Sequence, residues 1–389
     1  MEDWLEEWRL KARYDLGESG HRSRTVGELL AGAGIAPEQA AQAFLSMPLH
    51  DSPNRGRADL RQLVSSFHEG ASADDVLITT GTSEALFLLF RALAPRKVAL
   101  LLPAFQLLYE IPARMGATIV GLPVRFDDSG LPRADWDLWF EILRRERPDA
   151  VVFNHPHNPS GLCFTAAEIA ELSRFCEARG IRLVADEHYR FLSTESVPLG
   201  PTSFSLNGTT AVTGSFIKCT GTPGLRLGWY VGPRGWLDVM QNEKNYTTHT
   251  VNPVAEWMAL CALGALLNPA SALSVSMRGE WELNRTTLST FLARNLGAWQ
   301  GSVPAGGLVC VLTHASWSDA HTFERHLAAL LTAGVFLLPL STMEFAESYM
   351  RMGIRPNGSL ECGRGVRLGL GCSPALFEEA MELISVTVR

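Results

Sequence analysis

The chain has 389 residues, 46% of them hydrophobic, and a formal net charge of −7; it is long enough for two domains and a sizeable core, and its acidic balance gives no support to nucleic-acid or anionic-membrane binding. The acidic start, Met1 to Trp8, lacks the basic and apolar stretches of a signal peptide, and the apolar run Trp257 to Leu267 is too short to span a bilayer and reads as a buried helix ending at Asn268-Pro269. Seven scattered cysteines form neither a paired framework nor a metal-ligand spacing, so a reducing cytoplasm is expected.

From about Asp74 to Met240, strand-like runs alternate with helical patterns: Val98 to Leu102, Thr118 to Pro123, Ala150 to Asn154, Arg182 to Asp186, Thr210 to Gly214 and Gly228 to Gly232. This alternation predicts an α/β layer with a mostly parallel central sheet. No repeat or low-complexity linker interrupts it. A helical stretch from Asn252 to Leu267 follows, then a long helix-compatible segment from Ala272 to Leu296 that leads out of this layer. The tail, with Gly307 to Leu312 and Gly365 to Leu370, reads as a smaller α/β unit.

The chemistry is carried by Lys218, in Ser215-Phe216-Ile217-Lys218, followed by Gly221-Thr222-Pro223-Gly224-Leu225-Arg226-Leu227-Gly228. A lysine amine is a nucleophile only when deprotonated, which a desolvated, cation-rich pocket promotes. Ser215 and Arg226 lie close enough along the chain to place a hydroxyl and a guanidinium beside one anion, and arginine holds a phosphate through paired hydrogen bonds. A lysine beside a phosphate clamp points to pyridoxal phosphate; alone, the same residues also fit a basic surface loop. Two upstream strands add to the reading. Val151 to Asn154 runs into His155-Pro156-His157-Asn158-Pro159-Ser160-Gly161, and Ile181 to Ala185 ends in Asp186-Glu187-His188-Tyr189. Ligands of open parallel sheets sit beyond the carboxyl ends of the strands, where Asn158 and Asp186 fall. A carboxylate keeps a pyridine nitrogen protonated, so the ring acts as an electron sink, while Asn158 and Tyr189 can reach the ring's phenolic oxygen.

With Thr80-Gly81-Thr82-Ser83-Glu84-Ala85-Leu86 and Val366-Arg367-Leu368-Gly369, these motifs span nearly the whole chain. The chain resembles the class I/II aminotransferases, the aspartate aminotransferase branch of fold-type I pyridoxal-phosphate enzymes. The resemblance implies a large cofactor domain over 46–275 and a small domain from 1–45 and 276–389. It implies that Gly81, Thr82 and Ser83 open a helix whose amides bind the cofactor phosphate, and that Phe105 stacks on the ring, a position that also fits a core phenylalanine. Lys218, Asp186 and Tyr189 become the catalytic residues, with Asn158, Ser215 and Arg226 completing the cofactor site. Arg367 grips the substrate α-carboxylate, for which a planar fork suits better than lysine. The implied enzyme forms an external aldimine with an α-amino acid and labilises its α-proton as an aminotransferase. The resemblance also implies a homodimer with shared active sites.

Two departures stand out. The family's tyrosine that reaches the partner's phosphate is missing from His50-Asp51-Ser52-Pro53-Asn54-Arg55-Gly56, and an aspartate there would repel a phosphate. Candidate replacements lie in Asn245-Tyr246-Thr247-Thr248-His249-Thr250, which are otherwise polar residues at a helix end. The second departure is the N-terminal pattern of Glu2 to Leu5, Asp15 to Gly20 and Val26 to Leu29, which is similar to capreomycidine synthase-like enzymes. That similarity implies elimination, replacement or cyclisation as the alternative to amino transfer, with Ser19 and Gly20 at the substrate. Glu18 can pair with a cationic substrate tail such as a guanidinium, or sit solvated at the surface. Specificity is also assigned to the segment Ser341 to Arg364. His155, His157 and His188 raise a metal site as a rival reading, but the cofactor reading accounts for their neighbours and no metal is expected. Cys219 reads as a small buried residue. The Gly221–Gly228 loop lacks the ending of a nucleotide-binding P-loop, and a non-enzymatic binding module has no need of an electron sink.

Overall fold

Strand runs such as Val98-Ala99-Leu100-Leu101-Leu102 are apolar without alternation, the pattern of a strand covered on both faces. A computed structural model, which describes residues 1–194, 202–204, 209–343 and 364–388, gives this pattern its cause. In chain order the strands are β1 (Tyr14–Asp15), β2 (Val76–Thr79), β3 (Lys97–Leu102), β4 (Thr118–Phe126), β5 (Pro132–Ala134), β6 (Ala150–Asn154) and β7 (Arg182–Asp186). They continue with β8 (Ala211–Gly214), β9 (Gly228–Val231), β10 (Trp299–Gly301), β11 (Val309–His314), β12 (Val335–Phe336), β13 (Leu338–Pro339) and β14 (Val366–Gly369). The eight-stranded sheet runs β2-β9-β8-β7-β6-β3-β4-β5. Its centre, from β8 to β4, is parallel, and β9, β2 and β5 are antiparallel additions.

Alternate residues of one strand enter two different cores. Val98, Leu100 and Leu102 pack with Val152 and Val184 on one face, while Ala99 and Leu101 pack with Val151, Phe153, Leu183 and Ala185 on the other. Helices Gly81–Leu93 and Leu107–Arg114 cover the first face; Trp136–Glu146, Ala166–Glu177 and Pro253–Leu266 cover the second. Burial on both faces explains the missing period-2 signal. β4 extends past the expected end at Pro123 because Val124 to Phe126 pair with β5.

The second sheet, β10-β11-β14-β13, is antiparallel. Trp281 and Leu288 from helix Ala272–Arg294 and Phe377 and Ile384 from helix Pro374–Thr387 fill one core with Cys310, Leu312 and Leu368 of the sheet. The helix starting at Ala272 ends at Arg294 rather than Leu296, because Gly297 takes φ +87° to turn the chain into β10. At the other end of the chain, β1 pairs in parallel with β12, and Leu5 packs on Phe336, Leu338 and Met343. This pairing brings residues 15–20 beside β14, where the Gly369 N–H donates to Leu16 O. Residues 344–363, most of the segment to which specificity was assigned, lie outside the described residues.

Candidate active site

β6 and β7 end in register at Asn154 and Asp186, and β8 ends at Gly214, just before Lys218. The site therefore forms at the carboxyl edge of the parallel strands. A cavity of about 550 Å³ opens there, lined by Lys218, Asn158, Tyr189, Phe105, Arg226 and Arg367 among others. Thr82, Ser83, Ser19 and Gly20 also line it.

One end of the cavity is basic. Helix Gly81–Leu93 starts with Gly81 at φ +77°, where a Cβ would sit 2.8 Å from Arg226 Nη2. Only a glycine lets the guanidinium approach the helix start this closely. Arg226 is itself in the left-handed region at φ +48° and donates to Pro223 O at 3.2 Å. Free helix amides beside a guanidinium form an anion cradle. The structure does not turn the Ser215 hydroxyl into it: that oxygen donates to Leu227 O at 2.7 Å and accepts from Ile217 N at 3.1 Å, tying the lysine turn to the loop after Arg226.

Asp186 is 1% exposed and does not line the cavity. Its Oδ1 accepts from Thr213 Oγ1 at 2.8 Å. Its Oδ2 lies 2.9 Å from His188 Nε2 but accepts no aligned hydrogen bond. A buried carboxylate oxygen without an aligned donor is costly, and a pyridine N–H would supply that donor. His188, which lines the cavity, also places Nδ1 3.3 Å from Thr82 Oγ1 and packs edge-on against Phe105 at 6.2 Å. Sequence reasoning considered His188 only as a metal ligand. Its spacing two residues after the strand-end aspartate was the available signal.

Tyr189 is buried, and burial pushes its phenol above the usual value despite the opposing Arg367 charge, so the hydroxyl remains a donor. Arg367 is 1% exposed and donates from Nη1 to Asn158 Oδ1 at 3.0 Å and from Nη2 to Gly17 O; its Nε has no partner. Burial disfavours the charge on Arg367, and Tyr189, Glu18 and Asp15 oppose that effect. An arginine here stays ionised. A buried guanidinium that lines a cavity and keeps an unpartnered N–H fits a carboxylate guest.

The opposite end of the cavity is acidic. Glu18 Oε2 lies 3.4 Å from Lys218 Nζ, and Oε1 lies 3.1 Å from Arg9 Nε. Burial alone would raise the Glu18 carboxyl, but the Lys218, Arg9 and Arg367 charges outweigh it and hold the pKa below its ordinary value. Asp15, whose Oδ1 accepts from the N–H groups of Gly17 and Glu18, is raised to about 6, chiefly by burial and then by Glu18. A Cβ at Gly20 would lie 3.1 Å from Lys218 Cδ, so the segment passes directly over the lysine. His21 N donates to Lys218 O at 2.8 Å and fixes that approach. Arg9 was not anticipated from the sequence, because nothing local links residue 9 to residue 218.

The other histidines diverge. His155 accepts from Phe164 N at 3.3 Å and stacks on that ring, and His157 Nδ1 pairs with Ser160 Oγ at 2.7 Å. Among the described residues, no group of three or more His, Cys, Asp or Glu is placed to hold a metal. Cys219 is fully buried, with its thiol pushed up to about 12 by burial, and six described cysteines are unpaired. Asp51 meets Thr250 Oγ1 at 3.5 Å, and its loop is clamped from below. Lys244 Nζ donates to Asn54 O, and Glu256 accepts from Ser52 Oγ at 2.6 Å and Arg57 N at 2.8 Å. Of the candidate replacements, Thr247 and Thr248 donate to Glu84 Oε1, Tyr246 is 89% exposed, and His249 holds a left-handed turn at φ +59°.

Comparison with known proteins agrees with this architecture. The aminotransferase class I and II family profile matches residues 26–362. Capreomycidine synthase from Streptomyces vinaceus is 30% identical over 369 residues, covering 93% of this chain and 91% of that protein. Valine–pyruvate aminotransferase from Mycobacterium tuberculosis is 28% identical over 371 residues, covering 88% of this chain and 91% of that one. Among solved structures, a PLP-dependent aminotransferase from Streptococcus suis superposes with a TM-score of 0.85 at 22% identity, covering 100% of this chain and 96% of that one. The PLP-dependent cyclase OrfR gives 0.83 at 23% identity, with coverage of 100% and 96%. Among the described residues no helix is long and apolar enough to cross a membrane. The chain belongs to the class I and II aminotransferases, and it is a pyridoxal-phosphate-dependent, fold-type I enzyme of that family.

Proposed function

We propose that this enzyme takes an α-amino acid with a cationic side chain, holds it between Arg367 and Glu18, and labilises its α-proton for transfer of the amino group to a 2-oxo acid. The observation that carries the reading is the Glu18 carboxyl group 3.4 Å from Lys218 Nζ, in the cavity that Arg367 also lines. Pyridoxal phosphate supplies the electron sink when bound. The helix start at Gly81, Thr82 and Ser83, with Arg226, would hold its phosphate, and Ser215 braces that loop. Asp186 would keep its ring nitrogen protonated, Asn158 and Tyr189 would serve its phenolic oxygen, and Phe105 would cover its face. Lys218 Nζ is both the attachment point and the base that moves the α-proton. Ser19 and Gly20 close over Lys218 and shape the substrate space.

A second reading is elimination, replacement or cyclisation on one amino acid. It is favoured by the likeness to capreomycidine synthase, which extends over 93% of this chain. Mixing the loaded enzyme with L-arginine alone separates the two. Transfer without an acceptor stops after one equivalent and leaves the cofactor permanently changed in its visible spectrum. Continued consumption of L-arginine or a β-hydroxylated analogue, with the spectrum restored, selects the second reading. A protein that takes up no pyridoxal phosphate sinks both.

We further propose a cofactor domain of 46–275 and a small domain of 1–45 with 276–389, a homodimer with shared active sites, and a cytoplasmic location. Leu45, Leu49 and Tyr246, on segments flanking the Asp51 loop or bonded to it, are 90%, 82% and 89% exposed in the single chain, which supports a partner surface there. Sedimentation at micromolar concentration tests the dimer; a monomer that is active at that concentration would refute it.

A further inference from the structure

We propose that Arg9 is a specificity-determining residue: in the substrate-free enzyme its guanidinium holds the place at Glu18 that the substrate's side-chain cation takes. The inference rests on the cationic-substrate reading above and deepens it.

The cavity is bipolar. Arg226 and Arg367 give it cations suited to a phosphate and a carboxylate, whereas Glu2, Asp15 and Glu18 line its N-terminal side. At that side Glu18 is held by two cations, one on each oxygen: Lys218 Nζ on Oε2 at 3.4 Å and Arg9 Nε on Oε1 at 3.1 Å. With pyridoxal phosphate bound, Lys218 would no longer offer Glu18 a free ammonium. Glu18 then depends on Arg9, or on a cation brought by the substrate. The Arg9 Nε contact is close without being an aligned hydrogen bond, so it is electrostatic and exchangeable.

Arg9 also has somewhere to go. Its Nη1 lies 3.2 Å from Glu6 Oε1 and its Nη2 lies 3.9 Å from Glu2 Oε2, both on helix Glu2–Trp8. Releasing Glu18 therefore leaves the guanidinium paired at the surface. The helix itself is fixed independently of this contact, by Leu5 against Phe336 and Leu338 and by Trp4 Nε1 donating to Leu337 O at 3.3 Å. A neutral side chain offers Glu18 nothing in exchange for Arg9, and a carboxylate is repelled. A guanidinium or ammonium exchanges one cation for another, so selectivity arises from the swap.

The test is the affinity of the loaded enzyme for L-arginine and for L-citrulline, its neutral isostere, read by the change in the visible spectrum on titration. Arg9→Gln is expected to bind L-arginine about fivefold more tightly, the scale of one partly exposed ion pair removed as competitor, with L-citrulline unchanged and Arg9→Lys like the parent. An equal gain for L-lysine assigns any cation; a gain confined to L-arginine assigns the guanidinium. L-arginine bound no more tightly by Arg9→Gln, or an equal change for L-citrulline from a loosened helix, overturns the proposal. Glu18→Gln separates the two layers of the argument. If it keeps the preference for L-arginine over L-citrulline, Glu18 is not the partner of the substrate cation, and both that part of the reading above and this proposal fall. If it abolishes the preference while Arg9→Gln fails to tighten L-arginine, only the Arg9 assignment falls.

Discussion

The two ends of the cavity are built differently. The end proposed to hold the cofactor is made by consecutive strand ends of one sheet: Asn154 and Asp186 are in register, and Lys218 and Arg226 lie in one short connection between β8 and β9. The substrate end is made by the two termini of the chain. Residues 15–20 are held between β12 and β14, and Arg367 reaches Gly17 O across 350 positions of sequence. The first end is thus fixed by the parallel sheet itself, which any member of the fold must form. The second depends on docking of the N-terminal segment, which can vary without disturbing the sheet.

Substitutions can break this division. Lys218→Ala at the cofactor end should lower kcat by about 10⁴-fold, the upper range for loss of a positioned general base, with the fold intact by circular dichroism. Asp186→Asn should lower kcat about 10²–10³-fold, the cost of losing one preorganised electrostatic partner. At the other end, Arg367→Lys should raise KM about tenfold to a hundredfold with a smaller change in kcat, because a charge-assisted hydrogen bond contributes ~1.5–3 kcal/mol. Steady-state kinetics checks all three. The division fails if Arg367→Lys acts on kcat alone, or if Asp186→Asn acts on KM alone.

The same division governs what was legible in the sequence. The placement of Lys218, Asp186 and Asn158 at the carboxyl edge of the sheet could be read because each closes an apolar run or opens a turn, so a local pattern marks a strand end that the sheet then aligns. The strands Ala150–Asn154 and Arg182–Asp186 fall where the apolar runs predict them. The contacts of Arg9 with Glu18 and of Arg367 with Gly17 are set by tertiary docking, and no local periodicity encodes them. Ser215 shows the opposite limit. Its proximity to Arg226 along the chain predicts a shared anion, yet its hydroxyl donates to a nearby carbonyl, Leu227 O, as short hydroxyl side chains often arrange. The contacts of His188 with Asp186 and Thr82 are likewise not legible locally, since sequence gives its neighbours and not its orientation.

The smallest effect concerns the framework beneath both ends. His21, His68, His155 and His157 are buried, and burial lowers them to about 4, 3, 3 and 3 respectively. An unfolded histidine protonates near 6.5. Between about pH 6.5 and 4 the unfolded chain therefore binds protons that the folded chain refuses, so stability falls as pH falls through that window, by up to ~1.4 kcal/mol per pH unit per histidine. Asp15 works in the opposite sense. Its carboxyl is raised to about 6, so its contribution favours the fold at low pH and is lost as pH rises towards 6; one such group offsets part of what the histidines remove. His68 is the clean probe, because neither ring nitrogen has a hydrogen-bond partner and its replacement removes no bond. His68→Leu should flatten the pH dependence of urea unfolding between pH 6 and 4 by about one proton, about a tenfold change in the folding constant per pH unit. An unchanged slope would mean that His68 carries its proton inside the fold, against both its burial and the nearby positive charge of Arg190.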